Sequence, residues 1–366
     1  MTRELVYTGD VFRMQSQGGI TRFFVEVGTR LARPLTVAAG LHVSPRVAVF
    51  GGRARPAWRI PPDRVLRRAA APVNAWVDDR AFAAHRDAIL HPTYYRDPAA
   101  LPRKAPVVVT VHDMAHERFP DLLPPRRRWW AAPDPAAHKR ALCERADLVH
   151  CNSRATRDDL VAILGIPPGK TRVVHLAGMD WSAVTPAPIE GLDGPFALWV
   201  GERRGYKNFA LTAEAFAACH EARDLRLLCV GAGPLRAEER QHLTSLGLAT
   251  RVMQRAAGDR ELRWAYEHAS ALLYTARWEG FGIPMLEALS LGCPVLASDV
   301  PALREVGGDA ATYADPGRTE SLADGIQRVI DSGRDAGASS ARSAHAARFS
   351  WDACARGMEA LYAELD

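Results

Sequence analysis

The chain has 366 residues, of which 48% are hydrophobic and 24% charged, and it carries a net charge of +5. That length suits two cores of about 150–200 residues each, and no apolar run approaches the roughly 20 residues that span a bilayer, so the composition describes a soluble globular chain and excludes a membrane-spanning one. The positive excess suits a phosphate-bearing ligand or an anionic surface without choosing between them. Six scattered cysteines form no C-x-x-C pair, which predicts buried thiols in a reducing compartment rather than disulfides or a metal site. Residues Met1–Asp10 contain no long apolar signal region. The expectation is a cytoplasmic protein.

Short apolar runs predict strands at Leu5–Tyr7, Val47–Phe50, Ala88–Leu90, Val107–Val111, Leu148–Val149 and Val173–Val174. Further runs follow at Phe196–Val200, Leu225–Val230, Ala271–Tyr274 and Pro294–Ala297. Amphipathic segments at Phe23–Leu31, Asn208–His220, Asp259–His268, Pro284–Leu291 and Trp351–Leu365 predict helices. Strands alternating with helices predict parallel α/β sheets, and runs without polar alternation predict strands covered on both faces. Prolines 186, 188 and 195 mark residues 181–194 as a linker. The expected domains are 1–180 and 195–345, followed by a C-terminal helix within 346–366 that packs back on the first domain. The Ala/Ser-rich stretch Ser332–Ser343 predicts a mobile connection to that helix.

The segment Glu279-Gly-Phe-Gly-Ile-Pro-Met-Leu-Glu287 carries the strongest chemical signal, two carboxylates separated by seven residues around a glycine-rich turn. Pro284 suits the first turn of a helix, where its missing N–H has no partner to lose. The turn therefore follows a strand end, the place where an open α/β sheet binds ligands. Amides at the helix start can hold an anion, and the carboxylates can accept hydrogen bonds from sugar hydroxyls. Upstream, Gly201-Glu-Arg203-Arg-Gly-Tyr-Lys207-Asn208 puts cations in a loop after another strand. Asn208 is a candidate helix cap. Gly18-Gly19 follows the first strand; it is not G-x-G-x-x-G, so nicotinamide binding is unsupported. His112-Asp113 closes the strand at Val111, where it reads either as a cleft group or as a loop-stabilising pair. Arg126–Trp130 reads as a solvated charge run or as a membrane contact. No nucleic-acid recognition motif accompanies it.

Glu279-Gly-Phe-Gly-x-Pro-x-x-Glu287, followed by Ala288-Leu-Ser-Leu-Gly-Cys-Pro-Val295, resembles the signature of retaining GT-B glycosyltransferases of family 4, and the resemblance extends over most of the chain. It implies two Rossmann-like domains facing a cleft, with a nucleotide diphosphate sugar as donor. It implies ribose binding by Glu287, donor-sugar contact by Glu279 with Gly280, Phe281, Gly282 and Ile283, and diphosphate binding by Arg203 and Lys207. The Gly18-Gly19 loop would face the phosphates, and Gly231 and Arg255 would lie beside the base. His112 would contact the donor sugar, with Asp113 orienting it. The implied reaction is retaining and needs no metal. The implied acceptor is a hydroxyl of a glycan or lipid-linked oligosaccharide, in surface-polysaccharide assembly, and similarity to bacterial chains favours a GDP-mannose-like donor. The sequence departs from the family at Thr275-Ala276, where Pro-Ser is usual. A nucleotide-sugar 2-epimerase of similar fold and an inactive nucleotide-sugar binder are the alternatives.

Overall fold

Buried strands of four or five residues form the centre of each half of the chain. The computed structural model describes residues 2–16, 18–123, 135–203, 205–220, 222 and 224–366; the Arg126–Trp130 run lies outside them. The first half contains β1 (Leu5–Thr8), β2 (Leu35–Ala38), β3 (Gly40–His42), β4 (Ala57–Arg59), β5 (Ile89–His91), β6 (Val108–Val111), β7 (Leu148–Cys151) and β8 (Thr171–Val173). The order is β2-β1-β5 and β6-β7-β8, joined by a parallel bridge from Leu90 to Val107, with a β3-β4 pair beside them. Every pairing is parallel.

The second half contains β9 (Phe196–Val200), β10 (Arg226–Val230), β11 (Val252–Arg255), β12 (Ala271–Tyr274), β13 (Val295–Ser298) and β14 (Thr312–Ala314). These strands form one parallel sheet in the order β11-β10-β9-β12-β13-β14. Successive strands are laid outward from β9 in both directions, so the order reverses between β9 and β12. Such a switch point opens a crevice beyond the carboxyl ends of the strands.

The chain divides into two units, one of residues up to Leu176 together with Ser350–Asp366, the other mainly Ala177–Phe349. No helix or strand occurs between Val173 and Phe196. The helix Trp351–Ala363 is started by Ser350, whose side chain accepts from Ala353 N at 3.1 Å. It buries Trp351, Cys354, Ala355, Met358, Leu361 and Tyr362 on one face, the i, i+3, i+4, i+7 spacing of an amphipathic helix. That face belongs to the first unit, where Arg33 Nε lies 2.8 Å from Glu359 Oε2.

A buried hydrogen-bond chain ties this helix to the sheet. His150 Nε2 must donate to Val174 O at 2.8 Å, which leaves neutral His150 Nδ1 to accept from Thr110 Oγ1 at 3.1 Å. Thr110 then accepts from His91 Nε2 at 2.9 Å, and His91 Nδ1 accepts from Tyr362 Oη at 2.7 Å. Tyr362 is left to accept from Tyr7 Oη at 3.4 Å. One carbonyl at the end thus sets both tautomers.

Three local expectations are corrected. Val47–Phe50 is not a strand but part of a 3-10 segment, Pro45–Arg53, started by Pro45 and by Ser44 Oγ, which accepts from Arg46 N at 3.3 Å. Only Val47 and Phe50 in that run are buried, a helical rather than an alternating spacing. Ser332–Ser343 does not form a structureless connection: Ala336–Ala346 is a helix capped by Asp335, which accepts from Ala338 N at 2.8 Å. Small side chains favour it twice, because alanine is a strong helix former and a Cβ at Gly292 would lie only 2.9 Å from Ser339 Cβ. Asn208 precedes its helix, Phe209–Ala218, in the left-handed conformation without capping it. Its side chain donates to Thr275 O at 3.1 Å and Pro316 O at 2.8 Å instead.

Candidate active site

β9 and β12 are neighbours at the point where strand order reverses, and each runs directly into a loop carrying a charged group. After β9 comes Gly201, then a 3-10 turn, Gly205–Lys207. After β12 come Glu279 and the helix Ile283–Ser290. Lys207 Nζ donates to Glu279 Oε1 at 2.7 Å. Glu279 is 9% exposed, and an ion pair so little hydrated holds both side chains in defined positions. Burial and the Glu279 carboxylate push the Tyr274 phenol well above its usual range, so tyrosine stays a neutral group beside the carboxylate.

Gly282 starts the Ile283–Ser290 helix with φ 100°, and a Cβ there would lie 2.6 Å from Leu303 Cδ2. Only glycine meets both the dihedral and the space. Pro284 stands in the first turn. The helix then carries Glu287 into the interior, 4% exposed, where Tyr266 Oη donates to Glu287 Oε2 at 3.4 Å. A Cβ at Gly178 would meet Glu287 Cγ at 3.3 Å, so the backbone at Gly178 passes close to the stem of this side chain. Gly280 and Phe281 are also buried. Phe281 packs edge-on against Phe349 at 6.0 Å; this ring belongs to the packing of the unit. Ile283 is half-buried at the helix start.

Arg203, expected at the diphosphate, lies against the turn after β10. It is 5% exposed, and it donates to Gly231 O at 3.0 Å and to Gly233 O and Pro234 O at 2.8 and 3.1 Å. Its Nε lies 3.4 Å from Glu239 Oε1. The guanidinium braces the turn after β10 and fixes Gly231 within it. Gly231 itself has φ 99°, and a Cβ there would lie 3.3 Å from Gly201 O. The loops after β9 and β10 thus meet backbone to backbone. Gly231 N also donates to Arg255 O at 3.5 Å; the Arg255 side chain is exposed and donates to its neighbour Gln254 O at 3.2 Å.

The remaining expected residues lie in the first unit. Gly18 precedes the helix Gly19–Arg30, whose start has no side-chain cap. His112 follows β6 and sits edge-on to Phe23 of that helix at 5.8 Å. Burial, with His150 nearby, lowers its pKa to about 3, so the ring is neutral near pH 7. Asp113 Oδ1 accepts from Ala115 N, two residues on, at 3.0 Å. Asn152 Nδ2 donates to His112 O at 2.7 Å and fixes the backbone. Tyr266, Tyr274 and Glu239 were not foreseen, because nothing in a single tyrosine or glutamate within a periodic segment marks what it faces.

The family described as Glycosyltransferase Family 4 matches residues 17–177, and Glycosyl transferases group 1 matches residues 187–347. O-antigen chain mannosyltransferase B of Escherichia coli is 40% identical over 98 residues, 26% of this chain and 26% of that protein. D-inositol 3-phosphate glycosyltransferase of Mycobacteroides abscessus is 29% identical over 277 residues, 70% of this chain and 60% of that protein. Both alignments span less than two thirds of the relative's length. Among solved structures, sucrose-phosphate synthase from Thermosynechococcus elongatus has a TM-score of 0.71 at 20% identity and covers 99% of both chains. Anabaena HepE in complex with UDP and glucose has a TM-score of 0.72 at 16% identity, covering 99% of this chain and 100% of that one. At such identities the likeness carries the fold alone.

Proposed function

The chain belongs to the GT-B glycosyltransferases of family 4, and from that premise we propose that it transfers a hexose or deoxyhexose from a nucleotide diphosphate sugar to a hydroxyl of a glycan or lipid-linked acceptor. The observation that carries the reading is the Lys207–Glu279 pair, held at 2.7 Å beyond the adjacent ends of β9 and β12. In this reading Lys207 stands by the donor diphosphate. Negative charge grows there as the glycosidic bond breaks, and a fixed ammonium stabilises that state more than the ground state. Glu279, already oriented by Lys207, accepts hydrogen bonds from the donor sugar, and Glu287 accepts from the ribose. His112, held neutral, can hydrogen-bond a hydroxyl without adding charge. The transfer is retaining and needs no divalent ion, because Lys207 supplies the neutralisation. Mannosyltransferase relatives favour a GDP-mannose-like donor and bacterial surface-polysaccharide synthesis as the setting; the UDP complexes of HepE make UDP the donor nucleotide to test against it.

A thermal-shift screen of GDP, UDP, ADP and dTDP, each with and without magnesium, tests the reading. A ligand at 100 times its Kd stabilises a fold by about 2.7 kcal/mol, so one nucleotide is expected to raise the melting temperature without metal. Glu287→Gln should reduce that shift. A protein whose melt responds to none of the four is not using this site for a nucleotide diphosphate. Product analysis by NMR should then show the donor's anomeric configuration kept, and inversion would remove the retaining assignment.

A further inference from the structure

A face of the first unit joins exposed apolar side chains to a dense run of arginines. Residues 53–68 contain six arginines and one aspartate. The short helix Arg64–Ala69 leaves Val65 and Leu66 exposed, Val65 to 73%. The next helix, Ala71–Ala84, buries Val77, Ala81 and Phe82 but exposes Val73 and Trp76, three residues apart on its outer side. Trp58, in β4, is 51% exposed and Trp76 52%.

These elements are neighbours. Asn74 Oδ1 accepts from Leu41 N at 2.8 Å, and Asn74 Nδ2 donates to Leu41 O at 3.1 Å. Leu41 is the residue that pairs with Trp58 across β3 and β4. Arg67 Nη1 donates to Met14 O at 3.1 Å, bringing a further exposed apolar side chain to the edge of the face. Arg55, Arg59, Arg68 and Arg80 are exposed around the apolar residues, and the Arg80 guanidinium lies 5.1 Å from the centre of the Trp76 ring. Arg59 also borders a recess of about 410 Å³ that is lined by His42, Val47 and Ala57.

The nearby carboxylates leave the positive charge standing. Asp63 is engaged by Val65 N and Leu66 N at 2.8 and 3.0 Å. Asp78 is buried between Arg13 and Arg96, at 2.7 and 3.0 Å. Asp63 and Asp79 are exposed, and the exposed Arg53, Arg55, Arg59, Arg68 and Arg80 outnumber them. Tryptophans and aliphatic tips ringed by arginine match an interface of hydrocarbon beneath anionic headgroups, and each arginine near such a surface adds to the attraction. Nucleic acid would use the arginines but not Val65, Leu66 or Val73.

We propose that this face, Trp58, Leu66 and Trp76 with their surrounding arginines, docks the protein on an anionic lipid bilayer. Among the described residues no helix is long and apolar enough to cross a membrane, so this contact is peripheral. It stands independently of the nucleotide site.

The test is co-sedimentation of the full chain with phosphatidylcholine vesicles, with and without phosphatidylglycerol. Binding is expected only with phosphatidylglycerol and should weaken as salt rises. Trp58→Ser, Leu66→Ser and Trp76→Ser together should lower the partition coefficient about tenfold or more. Arg59→Glu with Arg68→Glu should abolish the preference for anionic vesicles. All five positions are exposed, and circular dichroism together with an unchanged melting temperature verifies that the variants fold. Nucleotide-induced thermal shifts, measured on the same variants, should stay the same, which separates failure here from failure of the donor site. The proposal is overturned if the unaltered protein ignores phosphatidylglycerol, or if both variants bind like it. It is equally overturned if binding is lost only when Arg126–Trp130 is changed. A patch variant that converts a dimer to a monomer in sedimentation velocity, with vesicle binding intact, would assign the face to a second copy of the chain.

Discussion

Lys207 and Arg203 stand four residues apart after β9, and their surroundings give them different duties. Lys207 is half-buried and faces one carboxylate; Arg203 is buried and faces three carbonyls of the turn after β10. Lys207→Met removes a half-buried cation and should lower the urea midpoint less than Arg203→Met does, yet lower kcat by about 100-fold, as loss of a charge-stabilising donor does. Arg203→Met should do the reverse in order of events. It breaks a buried, hydrogen-bonded charge beside Glu239, a change that costs about 3 kcal/mol or more, so the denaturation midpoint should fall first. Activity measured on the fraction that remains folded should fall less than for Lys207→Met. Equal stability of the two variants would remove the positioning role from Arg203.

At the scale of elements, the helix Trp351–Ala363 is an integral part of the first unit, although it lies at the far end of the chain. Its Tyr362 supplies a link in the Tyr7–Tyr362–His91–Thr110–His150 chain, and a Cβ at Gly357 would lie 2.7 Å from Val174 Cγ1. Removing residues 350–366 would strip an apolar face from the first unit and leave His91 Nδ1 buried without its donor, a loss of about 1–3 kcal/mol for the polar group alone. Calorimetry of the truncated chain should show the first unit's transition lost or shifted far down, with that of residues 177–349 retained. Two unaltered transitions would show that the helix is dispensable.

For the whole molecule, the buried histidines make stability depend on acid. Burial lowers His91 well below its usual range, lowers His150 to about 4 and, with His150 nearby, lowers His112 to about 3. All three are neutral in the fold, whereas in the unfolded chain each takes up a proton near its ordinary pKa of about 6.5. The unfolded state therefore binds more protons once pH falls below that value. The stability from these groups is complete above pH ~6.5 and is lost as pH drops through the folded values, by about 1.4 kcal/mol per pH unit for each histidine titrating. Urea midpoints at pH 7 and 4.5 should differ accordingly, and the difference should shrink in His150→Gln. A protein equally stable at both pH values would contradict the burial of these rings.

Uninterrupted apolar strands such as Phe196–Val200 were legible in the sequence, because strand burial acts locally. So was the strand–turn–helix frame of Glu279 to Glu287, since Gly282 and Pro284 announce it without help from distant residues. Val47–Phe50 misled, because hydrophobicity alone does not separate a run that alternates from one that turns every third residue. Ser332–Ser343 misled as well: Ala/Ser-rich sequence suits a linker and a closely packed helix equally, and the glycine it packs on is Gly292, far away in the chain. The carbonyl contacts of Arg203 were hidden for the same reason, since a cation in a loop gives no sign of the three carbonyls it meets about thirty residues downstream. What the sequence by itself determined was the succession of parallel βα elements and the residue types available at each strand end. Which of those side chains meet was decided only by the tertiary structure, because the order β10-β9-β12 and the burial it creates bring together residues that local propensity cannot see.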